Sequence, residues 1–246
     1  MENIVIAKDA DTVAKRVAHD LVAAARLAAS AQRRFALALS GGTTPKLLYQ
    51  HLSGPEFVNE MPWHCLELFW GDERCVPPNA ADSNFHMASE VMLNHVPIRA
   101  EQIHRIVGEN APEAESARYA DEIRNVVERQ RGGLPRFDWV LLGMGDDGHT
   151  ASLFPEQELQ AANELCGVAS HPSTGQKRVS FTYELINAAS HVAFVVTGAN
   201  KANMLATIIG RVPGREKFPA ARINPRAGNT TWYLDRAAGK DIAKKL

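Results

Sequence analysis

Short apolar runs rich in β-branched and aromatic residues alternate along the chain with stretches whose apolar positions recur every three or four residues. Residues 3–7 (NIVIA) read as a strand. From Asp11 the spacing changes, and Val13, Val17, Leu21, Ala25 and Ala28 fall on one side of a helix running to about Gln32. FALALS (35–40) is a second strand, followed by GGTTP and a helix carrying Leu47, Leu48 and Leu52. LELFWG (66–71) is a third; a Pro- and Asn-rich loop and a helix over about 84–94 follow. Residues 113–131 are predicted helical, with Ala117, Ala120, Ile123 and Val127 on the buried side. FDWVLLG (137–143) is almost continuously apolar, as expected of a strand covered on both faces. RVSFT (178–182) and HVAFVVTG (191–198) are two more strands, residues 199–210 a helix, and TTWYLD (230–235) closes the sheet. This alternation predicts an α/β fold: a mainly parallel open sheet with helices on both faces, Rossmann-like and three-layered. No repeat or linker interrupts it, so residues 1–246 are expected to form one domain.

Composition narrows the partners. Lys plus Arg number 27 and Asp plus Glu 28, a net charge of -1, which lacks the basic excess of a nucleic-acid-binding surface. A small anion remains possible, because it needs only a few well-placed cations. The opening MENIVIAKDADTVAKRVAHD has no long apolar core with a small-residue cleavage site, so no secretory leader is expected. The apolar runs are shorter than a membrane span, and no membrane partner is expected. Cys65, Cys75 and Cys166 are odd in number and form no CxxC pair, which argues against a disulfide framework or zinc site and for a cytoplasmic setting.

In open parallel sheets ligands bind beyond the carboxyl ends of the strands. Four such loops carry unusual polar residues. The first, Ser40-Gly41-Gly42-Thr43-Thr44-Pro45, leads into a helix whose free amides suit a phosphate; alternatively it is a tight turn capped by Thr43 or Thr44. The second, Gly71-Asp72-Glu73-Arg74, could offer Arg74 as an oxyanion clamp, unless the two acids simply neutralise it. The third, running from Gly143 to Thr150 (GMGDDGHT), matches GxGxxG after a strand. Two carboxylates where a pyrophosphate would approach, and Pro155 arriving too soon for a long helix, argue against a dinucleotide there. What stands out is His149, flanked by glycine and acid, a residue type suited to take a proton from water near neutral pH. The fourth, Gly198-Ala199-Asn200-Lys201, sets a lysine at a helix start, where the macrodipole disfavours a cation and a bound anion would offset the mismatch. Arg178, opening RVSFT, could add a second positive contact. Asp72, Glu73, Asp146, Asp147 and His149 match no recognised metal spacing, so no metal and no cofactor are expected.

Together, LALSGGTTP (37–45), LFWGDERCVP (68–77) with DSNF (82–85), LLGMGDDGHTASLFP (141–155), KRVSFT (177–182) and TGANKA (197–202) resemble the 6-phosphogluconolactonases. These belong to a wider superfamily that includes glucosamine-6-phosphate deaminases. The likeness runs in order from about residue 10 to 235. A deaminase would carry an Asp-Glu-Tyr-type segment and an HIAFNEP-like continuation, where this chain has Asp-Glu-Arg and HTASLFP. The resemblance implies a hydrolase of the oxidative pentose phosphate pathway, acting on 6-phosphoglucono-δ-lactone. It implies phosphate contacts from Gly41, Gly42, Thr43, Arg178 and Lys201. His149 would then activate water, Arg74 hold the oxyanion, and Asp147 orient the imidazole. The expected partner is a small phosphosugar lactone, and the expected assembly a monomer or weak homodimer. Two alternatives are a deaminase releasing ammonia and a phosphosugar sensor without turnover; against the latter, the chain has no room for an added DNA-binding helix-turn-helix.

Overall fold

Residues 2–129, 133–161 and 163–242 are described by the computed structural model. The chain enters through β1 (Glu2–Ala7), and Asp9 then caps α1 (Ala10–Ser30), its carboxylate accepting from the Thr12 amide at 2.9 Å. The apolar stripe read from the sequence, Val13 through Ala28, is the buried face of this helix. There follow β2 (Phe35–Leu39), α2 (Thr43–Ser53), β3 (Leu66–Trp70), β4 (Asp72–Arg74), α3 (Asn84–Val91) and α4 (Pro112–Val126). The remainder comprises β5 (Trp139–Leu142), β6 (Cys166–Ser170), β7 (Lys177–Phe181), α5 (Tyr183–Ile186), β8 (His191–Val196), α6 (Ala202–Ile209) and β9 (Asn229–Asp235).

Six strands form one parallel sheet in the order β1-β9-β8-β5-β2-β3. Every residue of β2, β3 and β5 is buried, which a sheet achieves only when helices cover both faces. The fold is the expected α/β arrangement. From β2 the chain crosses to β3 on one side, then re-enters at β5 on the other side and continues outward to β8. The carboxyl ends of β2 and β5 therefore flank a topological switch point, where a crevice opens.

Beside this sheet, β4, β7 and β6 make a three-stranded antiparallel sheet. Two expectations change here. Residues 72–74, read as loop, are a short strand, and RVSFT joins the small sheet instead of the large one. The strand β6 was not anticipated. Its sequence, CGVAS, is short and built of small residues, and that of β4, DER, shows no apolar alternation. Tyr119 of α4 lies between Phe69 of β3 and Phe181 of β7, with ring centroids 6.1 and 6.2 Å away, so the two sheets share one core. The predicted helix over 113–131 ends at Val126; Val127 is extended yet still buried, and 130–131 lie outside the described residues. The helix predicted to Asn94 likewise ends at Val91, before a 3-10 turn. No helix among the described residues is long and apolar enough to cross a membrane.

Candidate active site

The loops at the carboxyl edge of the large sheet and the face of β4 and β7 enclose a cleft of about 300 Å³. Gly41, Gly42, Thr43, Arg74, His149, Arg178 and Lys201 all line it, while Asp147 stands one hydrogen bond behind His149.

The first wall is the loop between β2 and α2. Tyr49, fully buried, anchors its root by accepting from the Ser40 amide at 2.9 Å and donating to the Ser40 carbonyl at 2.7 Å. Gly42 then turns with φ 112°, a conformation favouring glycine, and α2 begins without a side-chain cap. Thr44 does not cap the helix; its hydroxyl meets that of Thr197 at 2.7 Å. Pro45 brings no amide of its own. The first-turn amides of α2 thus face the cleft without a side-chain cap, a feature that suits an anion.

The second wall carries two arginines. In the antiparallel pairing of β4 with β7, Arg74 lies opposite Arg178, a like-charge pair that destabilises a sheet unless an anion relieves it. Both have a buried Nε with no protein acceptor. Arg74 donates through Nη1 to the Asp82 carbonyl, and Arg178 Nη1 is 4.0 Å from Asp72. Only 11% of the Arg178 side chain is exposed; burial, with Arg74 adding to it and Asp72 opposing, holds its pKa below the usual guanidinium value. The neighbouring acids do not neutralise Arg74. Asp72 accepts from the Ser152 hydroxyl at 2.6 Å, and Glu73 is consumed by the start of α3.

His149 follows β5. Its Nδ1 is 2.7 Å from Asp147 Oδ1, and its own amide donates to the same oxygen at 3.0 Å. Burial opposes the ionised form of Asp147, but these bonds and the nearby imidazole outweigh it and keep the carboxyl below its ordinary pKa. An ionised carboxylate only accepts, so Nδ1 carries a proton, and it is Nε2 that holds the lone pair whenever the imidazole is neutral. Thr150 ties the loop back by donating to the Gly143 carbonyl at 2.8 Å. Among the described residues no helix follows before β6, so this GxGxxG segment lacks the helix of a dinucleotide site.

Lys201 is not waiting unpaired. It binds Asp146, which also accepts from Asn200 Nδ2 at 2.9 Å; the Lys201 bond, foremost, lowers the Asp146 pKa. The charge mismatch at this helix start is therefore offset internally. Asn84, Asp72 and Thr197 also line the cleft and had been given no binding role. Asn84 lay within the DSNF segment, but its distance from Gly41 in sequence hid their contact. Among the described residues no group of three or more His, Cys, Asp or Glu side chains is placed to hold a metal ion.

Comparison with known proteins gives the chain a lineage. Residues 8–232 match the family described as glucosamine-6-phosphate isomerases/6-phosphogluconolactonase. A 6-phosphogluconolactonase of Treponema pallidum is 50% identical over 173 residues, spanning 70% of this chain and 71% of the relative. One from Haemophilus influenzae is 43% identical over 202 residues, spanning 82% and 85%. The solved 6-phosphogluconolactonase of Trypanosoma brucei superposes with a TM-score of 0.85 at 26% identity, covering 98% of this chain and 99% of that one. The chain belongs to the glucosamine-6-phosphate isomerase/6-phosphogluconolactonase family.

Proposed function

We propose that this chain hydrolyses 6-phosphoglucono-δ-lactone to 6-phosphogluconate, the lactone-opening step of the oxidative pentose phosphate pathway, with His149 as general base and no metal. The activity is that named for its relatives of 43% and 50% identity. The observation that carries the mechanism is the Asp147–His149 contact, which commits Nδ1 and leaves Nε2 free in a cleft lined by cations.

The amides of Gly41, Gly42 and Thr43, with Arg178 and Lys201, hold the phosphate, and this remote anchoring orients the lactone carbon toward His149. Lys201 exchanges Asp146 for a phosphate oxygen as the substrate enters. Water then adds to C1 while its proton passes to Nε2. Arg74, with backbone amides, stabilises the resulting oxyanion. Collapse breaks the bond from C1 to the ring oxygen, which takes the proton back from the imidazolium. The new carboxylic acid ionises and releases one proton to solvent.

That proton supplies the test. Freshly prepared 6-phosphogluconolactone, followed by pH indicator and corrected for spontaneous hydrolysis, is consumed well above background, and unphosphorylated gluconolactone is used less well. Binding without turnover would instead mark a phosphosugar sensor, and ammonia released from glucosamine 6-phosphate a deaminase.

A further inference from the structure

We infer that Glu73 and Asn84 are positioning residues for the anion-binding loop: Glu73 fixes Asn84, and the Asn84 side chain fixes Gly41. The inference rests on the reading that residues 41–43 hold the substrate's phosphate. Glu73 is buried on β4 and does not line the cleft. Its carboxylate accepts from the amides of Arg74 (2.8 Å), Asn84 (2.8 Å) and Phe85 (2.7 Å) and from the Ser83 hydroxyl (3.0 Å). Asn84 and Phe85 open α3, so this carboxylate satisfies helix-start donors from a neighbouring strand. The same group holds the backbone of Arg74.

Asn84 is thereby immobilised at both ends. Its backbone is bound by Glu73, and its buried Nδ2 donates to the Asp72 carbonyl at 2.9 Å. Gly41 lies against this carboxamide: a Cβ at Gly41 would stand 1.9 Å from Asn84 Oδ1 and 2.5 Å from Cγ. Gly41 does not have a left-handed φ, so contact and not backbone strain demands glycine there. An asparagine on a free rotamer could swing aside, but this one is tied to two partners. One buried carboxylate thus sets the register between the arginine strand and the loop that opens α2.

The test is a double-mutant cycle on the full chain, reading kcat and KM for 6-phosphogluconolactone and for unphosphorylated gluconolactone, with circular dichroism and thermal melting to verify folding. Gly41→Ala is expected to raise KM for the phosphorylated substrate by about tenfold or more, since small misplacements of a binding group are costly. In the Asn84→Ala background the same change is expected to cost less than about twofold, because the atoms it strikes are gone. Glu73→Gln, which cannot accept from all four donors, lowers the preference for the phosphorylated substrate, read as the ratio of kcat/KM on the two lactones, as Asn84→Ala does; because it also loosens the Arg74 backbone, it lowers kcat on both lactones alike. Should Glu73→Gln not fold, Ser83→Ala removes one donor more gently and shifts the preference in the same direction. An equal cost of Gly41→Ala in both backgrounds overturns the role of Asn84. Unchanged preference in the folded Glu73 or Ser83 variant overturns that of Glu73. A parent enzyme with no preference for the phosphorylated lactone would instead sink the phosphate reading itself.

Discussion

Replacing Asp147 separates two things its carboxylate does for His149. One oxygen accepts both from the imidazole Nδ1, at 2.7 Å, and from the His149 amide, at 3.0 Å. Asp147→Asn can keep an oxygen in that place and so preserve the geometry while removing the charge. Asp147→Ala removes both. A hydrogen bond to a charged group contributes about 1.5–3 kcal/mol. The Asp147 side chain is 49% exposed and His149 29%, so solvent screening reduces the charge contribution to about 1–2 kcal/mol. If that stabilisation is expressed as the imidazolium forms, Asp147→Asn lowers kcat by about 5–30-fold. Asp147→Ala, losing the amide contact as well, lowers it on the order of 10²-fold. KM is expected to hold in both, because Asp147 does not line the cleft.

The assay is the pH-indicator hydrolysis of 6-phosphogluconolactone at saturating substrate, with KM from the same progress curves. A kcat for Asp147→Asn within twofold of the parent would show that the charge is not used. Equal losses in the two variants would show that the charge alone matters and the placement of the oxygen adds nothing. A rise in KM without loss of kcat would move Asp147 into the binding surface and refute the orienting role.

His149→Ala is expected to lower kcat by about 10²–10⁴-fold, and near-normal turnover excludes it as the general base. Dialysis against a chelator leaves the rate unchanged; activity lost on dialysis and restored by a divalent cation would reinstate a metal. Arg178→Ala costs more preference for the phosphorylated substrate, about tenfold or more, than Lys201→Ala, at about three- to tenfold, read from KM on both lactones. Away from the cleft, burial pushes His104 down, but Glu122 at 2.7 Å and Glu67 at 2.9 Å outweigh it and raise its pKa to about 9. A raised folded value adds stability that is full below the unfolded value near 6.5 and lost as pH climbs through about 9, roughly 3 kcal/mol in all. Urea titrations across that window should show His104→Gln flattening the decline, and parallel curves for parent and variant would refute it.

The large sheet was legible because its strands are nearly continuous apolar runs, and burial on both faces leaves that mark directly. The loops over 40–45 and 143–150 were legible as walls of a cleft because glycine, proline and charge cluster where the strands end. The small sheet was not. In β4 every residue is charged, and the hydrogen bonds that make this tolerable come from Ser83, Asn84, Phe85 and Ser152, remote in sequence. The opposition of Arg74 and Arg178 depends on that pairing, so sequence could offer them only as separate cations. Asp146 appeared as one of two acids obstructing a pyrophosphate; that it pairs with Lys201 depends on β5 and β8 being neighbours in the sheet.

These two arrangements explain why the cations of the cleft should contribute unequally to phosphate selectivity. Lys201 already holds a carboxylate in the free protein, so a phosphate arriving there replaces one ion pair by another, and the gain is only the difference between them. The arginine pair has no such occupant. Asp72 is 4.0 Å from Arg178 and engaged by Ser152, and both guanidinium groups retain an unpartnered, buried Nε. A dianionic phosphate held by Arg178 therefore gains new charge-assisted hydrogen bonds that an unphosphorylated lactone does not. On this reasoning Asp146 tempers what Lys201 adds to phosphate affinity, and Arg178, on β7, is the stronger of the two cationic contacts.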